Sequence, residues 1–150
     1  MNPAAYREAL EQAWADHLAP REHGAPTVAS LFAGGGGSSL GYSMAGYREV
    51  LAADFDAHAC ATLRLNFQGV EVHEGDVAAL RPERVLEAGG IEVGELDVLD
   101  GSPPCQGFST AGKREVGDAR NRLFMEYARL LGALRPRAFV MENVSGMVKG

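Results

Sequence analysis

The sequence predicts an α/β protein in which a mostly parallel sheet has helices on both faces. Two observations lead to this prediction: short apolar runs alternate with helical patterns from Thr27 onward, and polar or glycine-rich segments follow the apolar runs. Such alternation is typical of parallel sheets, whose strands need helical crossovers. Because ligands of these sheets bind at the carboxyl ends of the strands, a functional site is expected in the segments that follow them.

The first 19 residues are predicted to form one amphipathic helix, with Asn2 as the N-cap and Pro3 in the first turn. Apolar residues recur at helical spacing along one side, namely Tyr6, Leu10, Ala13, Trp14 and Leu18. Residues 21–26 are typical of a linker. We expect this helix to pack on the domain that follows it. The alternative is that its apolar stripe docks to a partner chain.

Five strands and three further helices are expected after the linker. The strands are 27–33, 49–54, 70–73, 96–99 and 138–141. The helices are 38–47, a helix that Asp56 caps and that runs to about Phe67, and 121–134. The last helix has an apolar inner side and ends before Pro136; that side comprises Leu123, Phe124, Tyr127, Leu130, Leu131 and Leu134.

The composition indicates one globular domain. The chain has 150 residues, of which 46% are hydrophobic and 23% charged. It has no apolar run of the roughly 20 residues that a membrane helix needs. Its two cysteines cannot form a disulfide framework or a four-ligand zinc site, so a reduced, cytoplasmic protein without a metal is expected. The net charge of −6 disfavours general binding of phosphate backbones, so any contact with nucleic acid needs a local patch.

The segment after the first strand, Phe32–Gly37, contains four consecutive glycines, which allow a sharp turn and the close approach of a ligand. It does not complete the G-x-G-x-x-G pattern of dinucleotide sites, because Ser39 stands where the last glycine would be. An acid suited to a ribose is nevertheless present, since Asp54 ends the second strand 20 residues after Gly34.

Two further residues complete this expected cofactor site. Phe55 offers a flat face for a purine, and Asp76 could accept a hydrogen bond from an adenine amino group. A nucleoside cofactor without a pyrophosphate, such as S-adenosylmethionine, fits these residues better than a nicotinamide dinucleotide does. The alternative is an ordinary glycine-rich turn followed by two acidic helix caps.

The segment after the fourth strand reads GSPPCQGFS and contains Cys105, a candidate nucleophile in a polar loop. The other cysteine, Cys60, is interpreted as a small buried apolar residue. Glu142 and Asn143 follow the fifth strand. If the fourth and fifth strands are neighbours, Glu142 lies near Cys105; the alternative role of Glu142 is a helix cap.

Together these segments resemble the N-terminal part of the C5-cytosine DNA methyltransferase family. The resemblance rests on FAGGGG, GSPPCQGFS, DARNRLF and MENV, in that order and at matching spacing, and it covers residues 27–150. It implies a Rossmann-like fold that uses S-adenosylmethionine, with a sheet that is incomplete at the C-terminus. Residues 1–24 would be an N-terminal helix and linker, and residues 25–150 the N-terminal portion of the catalytic domain, without the recognition domain.

The resemblance also implies roles for individual residues. Cys105, with Pro104 before it, would attack C6 of cytosine. Glu142, with Asn143 after it, would hold the N3 edge of the base. A raised pKa would suit this role of the Glu142 carboxyl group, and burial would supply it. The residues around the cofactor would be Phe32, Ala33, Gly34, Gly35, Gly36, Asp54, Phe55, Asp76 and Val77. Ser102, Pro104 and Leu123 would line the space around its methionine part.

The basic loop from Gln106 to Arg122 would close over double-stranded DNA. Its expected DNA contacts are Gln106, Ser109, Lys113, Arg114 and Arg120. The alternative is a solvated charged loop. The family's Q-x-R-x-R segment and recognition region do not occur in these residues. We therefore expect a shortened chain, or one subunit whose partner polypeptide carries the recognition half. The alternatives are a tRNA methyltransferase with the same core and a non-catalytic interaction module.

Overall fold

The computed structural model describes residues 2–103 and 119–142, and the side chains of residues 119–121 are not described. The helices are α1 (Pro3–Leu18), α2 (Gly37–Met44), α3 (Ala57–Asn66), α4 (Pro82–Gly89) and α5 (Ala119–Leu134), and a 3-10 turn spans Val77–Ala79. The strands are β1 (Thr27–Leu31), β2 (Arg48–Asp54), β3 (Glu71–Glu74), β4 (Val98–Gly101) and β5 (Ala138–Met141).

All five strands are parallel and lie in the order β3-β2-β1-β4-β5. The chain moves outward from β1 to β3 and then crosses back to β4 on the other side of β1. The strand order therefore reverses between β1 and β4, which is where open parallel sheets form their ligand crevice. The register aligns the strand ends there, since Leu31 of β1 pairs with both Ala53 of β2 and Gly101 of β4.

Helices cover both faces of the sheet, as the sequence predicts. On one face, Tyr127, Leu130 and Leu134 of α5 are fully buried against the central strands, together with Val85 of α4. On the other face, Leu63 and Phe67 pack on Ala52 of β2. β1 is buried along its whole length because it lies at the centre of both layers.

Most predicted elements are found with small shifts at their ends. β5 has the predicted bounds, and the side chain of Asn2 accepts a hydrogen bond from the backbone N–H of Ala4, as expected for the cap of α1. β4 begins two residues later than predicted. The apolar Leu96 was included in the predicted strand, but it is buried in the loop before it. Helix α4 was not predicted, because its sequence, PERVLEAG, is short and buries only Val85 and Gly89.

The expected packing of α1 on the domain is wrong for most of its length. No residue of α1 is buried, and Tyr6, Leu10 and Trp14 are each more than half exposed. At its C-terminal end, Leu18 packs against the cluster of Leu63 and Phe67, and the carbonyl of His17 accepts a hydrogen bond from the hydroxyl of Ser43 in α2. Docking of the stripe to a partner chain stays a prediction. Among the described residues, no helix is both long enough and apolar enough to cross a membrane.

Candidate cofactor and base site at the carboxyl edge of the sheet

The glycine segment after β1 folds into a tight turn against the sheet. The N–H of Ala33 donates to the carbonyl of Ala53 at 3.0 Å, and the N–H of Gly36 donates to the carbonyl of Ala33 at 3.1 Å. Gly36 has a φ of +93°, and a Cβ added there would lie 2.4 Å from Cε2 of Phe67. Phe32 also has a positive φ, of +57°, which is uncommon for a residue with a side chain. The turn therefore needs glycine at Gly36 and is strained at Phe32.

Asp54 connects this turn to the ends of β2 and β3. Its Oδ2 atom accepts a hydrogen bond from the N–H of Gly34 at 2.8 Å, and its Oδ1 atom accepts one from the N–H of Asp56 at 2.9 Å. Its backbone carbonyl accepts from the N–H of Gly75 at 2.9 Å. Each carboxylate oxygen keeps a lone pair for another donor. The carboxylate is thus fixed beside the glycine turn and can still accept hydrogen bonds from hydroxyl groups.

Cys60 lies beneath Asp54. The thiol is fully buried and approaches the Asp54 carbonyl at 3.3 Å, which agrees with its interpretation as a small core residue. Burial is the main cause that raises the pKa of this thiol above its ordinary value, and the charges of Asp54 and Glu74 add to the effect. A thiol in this state is a poor nucleophile.

Asp76 follows β3 and caps the 3-10 turn. Its Oδ1 atom accepts from the N–H of Ala78 at 2.9 Å, and its Oδ2 atom accepts from Nη2 of Arg122 at 2.6 Å. The hydrogen bond from Ala78 is the main cause that lowers the pKa of Asp76, and the charge of Arg122 lowers it further. Asp76 is therefore an ionised acceptor at neutral pH.

Arg129, seven residues after Arg122 and thus on the same side of α5, holds the same turn. Its Nη2 atom donates to the carbonyls of Leu80 at 3.0 Å and Val77 at 3.3 Å. Sequence reasoning missed both arginine contacts, because their partners are 46 to 52 residues away along the chain. The spacing of two helical turns was the available signal that both point the same way.

The remaining predicted cofactor residues lie around this edge. Phe55 is 79% exposed, so the face of its ring is accessible. Ser102 is exposed just after β4, while Leu123 is half-buried and packs against the core. Val77 is buried in the 3-10 turn. Pro104 lies outside the described residues.

The part of the site that the sequence predicts to hold the base is only partly described. The N–H of Glu142 donates to the carbonyl of Gly101 at 3.3 Å, so the ends of β4 and β5 are adjacent, as predicted. The side chain of Glu142 is exposed, so the expected burial of its carboxyl group is not found among the described residues. The predictions for Cys105 and Asn143 lie outside those residues. The same holds for Gln106, Ser109, Lys113, Arg114 and the side chain of Arg120.

A buried polar cluster lies under α2, behind the glycine turn. The hydroxyl of Ser39 donates to Oε1 of Glu49 at 3.0 Å, and the hydroxyl of Ser30 faces the same carboxyl group. Burial raises the pKa of Glu49 to about 7. Asp100 of β4 is also buried, with Ser38 and Tyr42 beside it, and burial raises the pKa of its carboxyl group.

Comparison with known proteins decides which family this arrangement represents. Residues 27–150 match the family model described as C-5 cytosine-specific DNA methylase. The chain belongs to this family. The C-5 cytosine-specific DNA methylase match begins at the first residue of β1 and leaves α1 and the linker outside it.

Individual relatives of the family agree. The chain is 42% identical over 120 residues to the type II methyltransferase M.AquIA of Picosynechococcus sp., covering 79% of this chain and 48% of that protein. It is 41% identical over 121 residues to the type II methyltransferase M.DdeI of Desulfomicrobium norvegicum, covering 81% of this chain and 28% of that protein. The chain therefore spans about half of the first relative and less than a third of the second.

A solved structure also matches. It is a proposed DNA modification methyltransferase encoded within a prophage of E. coli, with a TM-score of 0.68 and 37% sequence identity. The match covers 81% of this chain and 33% of that chain. The parallel sheet described above is thus the fold of this C-5 cytosine-specific DNA methylase family, which is Rossmann-like.

Proposed function

We propose that this chain supplies the cofactor-binding and nucleophile segments of an enzyme that methylates C5 of cytosine in double-stranded DNA. The observation that carries the proposal is the Asp54 carboxylate, fixed by the N–H of Gly34 beside the glycine turn in a chain of this family. The relatives named as type II methyltransferases support the same reaction.

The residues at the carboxyl edge fit S-adenosylmethionine as the cofactor. The free lone pairs of Asp54 suit ribose hydroxyls, the exposed ring of Phe55 suits one face of adenine, and the ionised Asp76 suits the adenine amino group. A Cβ at Gly34 would meet open space, so the backbone of the turn is open to close approach there. When bound, this cofactor supplies an electrophilic methyl group.

The chain's own residues would activate the base. The thiolate of Cys105 forms a bond to C6 of cytosine. The electron pair of the C5–C6 double bond then forms a C4–C5 double bond, and the pair of the C4–N3 double bond moves to N3, which takes a proton from Glu142. C5 then has the electron density to accept the methyl group. Loss of the C5 proton to a base, departure of the thiolate from C6 and return of the N3 proton to Glu142 restore the ring. Nucleophilic catalysis of this kind divides a difficult substitution into easier steps.

Binding to DNA requires more than these 150 residues. The base must leave the duplex to reach a pocket at the sheet edge, at a cost of a few kcal/mol. The chain carries a net charge of −6, so it offers few cations for phosphates. We therefore propose that a further part of the methyltransferase, on a second polypeptide or on the same one, supplies the recognition surface. The chain alone is expected to show no useful methyl transfer.

Trapping with 5-fluorocytosine tests the proposal. In the chain combined with the rest of a methyltransferase domain, duplex DNA that contains 5-fluorocytosine should form a covalent adduct, because fluorine cannot leave C5 as a proton does. Cys105→Ser should abolish the adduct. Cys60→Ser is the matched control and should retain it, since a hydroxyl can replace the thiol contact with the Asp54 carbonyl.

This experiment tests the predicted substrate and the predicted nucleophile separately. An adduct that survives Cys105→Ser would place the nucleophile elsewhere. Adduct formation with transfer RNA that contains 5-fluorocytosine, but not with duplex DNA, would favour the RNA methyltransferase alternative.

A further inference from the structure

The turn after β3, residues 75–80, is fastened to the sheet through its backbone. Nε2 of His73 lies 3.3 Å from the carbonyl of Asp76, and Nη1 of Arg84 lies 3.2 Å from Nδ1 of the same histidine. Because an arginine can only donate, Nδ1 accepts, and Nε2 carries the ring proton that it donates to Asp76. The N–H of Gly75 donates to the carbonyl of Asp54. The backbone of Asp76 is therefore held from the side of β2 and β3.

Helix α5 is a firm support on the other side of this turn. Its residues Tyr127, Leu130 and Leu134 are fully buried in the core. The hydroxyl of Tyr127 also donates to the carbonyls of Leu99 at 3.0 Å and Val140 at 3.2 Å. Because buried side chains are closely packed, the helix cannot shift without disturbing the core. Side chains that α5 directs at the turn are thus carried by a fixed element.

Arg122 and Arg129 of α5 contact different parts of the turn after β3. Arg129 contacts its backbone, since Nη2 donates to the carbonyls of Leu80 at 3.0 Å and Val77 at 3.3 Å. Arg122 contacts a side chain, since its Nη2 donates to Oδ2 of Asp76 at 2.6 Å. One arginine therefore holds the course of the backbone, and the other holds the direction of a carboxylate.

The carboxylate of Asp76 would otherwise keep some rotational freedom. Rotation about the Cβ–Cγ bond of an aspartate is only weakly restricted, because its energy minima are broad. The N–H of Ala78 holds Oδ1 at 2.9 Å, and Arg122 holds Oδ2. One donor on each oxygen fixes the plane of the carboxylate. A carboxylate has about four acceptor sites, so the remaining ones keep a defined direction.

We propose that Arg122 is a positioning residue for adenine recognition, which fixes the plane of the Asp76 carboxylate so that a remaining lone pair meets the amino group of the cofactor's adenine. This inference rests on the proposed function, in which Asp76 holds that amino group. It adds a residue that determines how strictly adenine is distinguished from a purine with an oxygen at the same position. A carboxylate that is free to turn can avoid such an oxygen, whereas a fixed one faces it and disfavours binding.

Isothermal titration calorimetry with two ligands tests the proposal. S-adenosylhomocysteine carries the amino group, and S-inosylhomocysteine carries a carbonyl oxygen in its place. The discrimination ratio is the dissociation constant of the second ligand divided by that of the first, measured in the complete enzyme. Arg122→Gln should lower this ratio about three- to tenfold, the scale of one hydrogen bond, because the shorter amide does not reach Oδ2. Arg122→Lys keeps a charged donor and should restore most of the ratio.

Arg129→Gln is the matched control, because it loosens the same turn from the same helix without removing a partner of the Asp76 carboxylate. It should affect the two affinities alike and leave their ratio unchanged. A role in stability alone would lower the ratio in Arg129→Gln at least as much as in Arg122→Gln. Asp76→Asn is the reference for complete loss of discrimination, since an amide nitrogen can donate to the carbonyl oxygen of the inosine ligand. Far-UV circular dichroism verifies that each variant is folded.

The outcomes that would overturn this inference are distinct from failure of the proposed function. A wild-type enzyme that does not bind S-adenosylhomocysteine would contradict both. Tight binding of this ligand with equal affinity for S-inosylhomocysteine would leave the cofactor site in place but remove Asp76 from the recognition of the amino group. A discrimination ratio that survives Arg122→Gln, or that falls equally in Arg129→Gln, would leave Arg122 with no part beyond holding the turn.

Discussion

Arg122 and Asp76 form an ion pair between the first turns of α5 and the turn that follows β3, with Nη2 and Oδ2 2.6 Å apart. The two residues are 46 positions apart in the chain. Asp76 is proposed to hold the adenine amino group, and α5 directly follows the segment that contains Cys105. The pair thus connects the proposed adenine site to the helix that leads out of the proposed nucleophile segment.

The two arginines of α5 should differ in their contribution to stability. Arg122→Gln is expected to lower the free energy of unfolding by less than about 1 kcal/mol, because both members of its ion pair are largely exposed. Arg129→Gln should cost about 1–2 kcal/mol, because it removes a charged donor from two carbonyls. Urea unfolding followed by far-UV circular dichroism measures both. A larger loss for Arg122→Gln would reverse this ranking.

Asp54→Ala should weaken binding of S-adenosylmethionine in the complete enzyme by about 1–3 kcal/mol, the scale of hydrogen bonds to a charged group. Isothermal titration calorimetry measures the affinity. Glu74→Ala, at the register position paired with Asp54, is the control and should bind normally. Equal affinities for the wild-type enzyme and Asp54→Ala would remove Asp54 from the ribose site.

Two glycines of the turn after β1 should tolerate alanine differently. Gly36→Ala should cost about 2–5 kcal/mol, because its φ of +93° is unfavourable and the new Cβ overlaps the ring of Phe67. Gly34→Ala should cost only about 1–2 kcal/mol, since its φ of +54° is strained but its Cβ meets open space. The midpoints of urea unfolding compare the stabilities of the two variants. Similar losses would mean that Phe67 moves aside without cost.

Glu49 should make the chain less stable as the pH rises from 5 to 8. Burial raises the pKa of Glu49 to about 7 in the folded protein, from 4.5 in the unfolded chain, so the folded state binds the proton more tightly. The stabilisation is fully present below about pH 4.5 and is lost as the pH rises to about 7. The expected loss is about 2–3 kcal/mol between pH 5 and pH 8.

Glu49→Gln should remove this loss, because the amide stays neutral throughout. Asp97→Asn is a suitable control. The hydrogen bond from the N–H of Thr27 lowers the pKa of Asp97, with help from Arg137, so it titrates below this pH range. Urea unfolding at pH 5 and pH 8 measures the loss of unfolding free energy in both variants. A loss that persists in Glu49→Gln would show that another group causes it.

The sequence was sufficient to predict the helices and strands whose local residue pattern matches the way they are buried in the fold. α5 has both helical spacing and an apolar side, and its buried residues Tyr127, Leu130 and Leu134 were among those predicted. α4 escaped prediction because its burial depends mainly on Val85 and Leu86 meeting the sheet. The apolar stripe of α1 misled the packing prediction, because helical spacing shows that a stripe exists and not what covers it.

For the candidate site, the strand ends could be predicted but the contacts between them could not. Asp54 and Asp76 follow strands, which a local pattern reveals. The hydrogen bond of Asp54 with the N–H of Gly34 depends on the register of β1 and β2, and the contact of Asp76 with Arg122 depends on how α5 crosses the sheet. Such relationships between distant residues are set by packing and leave little trace in local sequence.

The exposed position of Trp14 on α1 has a consequence for spectroscopy. It is the single tryptophan of the chain, and more than half of its surface is open to water in the folded state. Its emission should already resemble that of a solvated indole, so tryptophan fluorescence will scarcely register the melting of the sheet. The same property makes Trp14 a built-in reporter for the surface of α1: a blue shift on mixing with another macromolecule would signal contact with the helix while the core is unchanged.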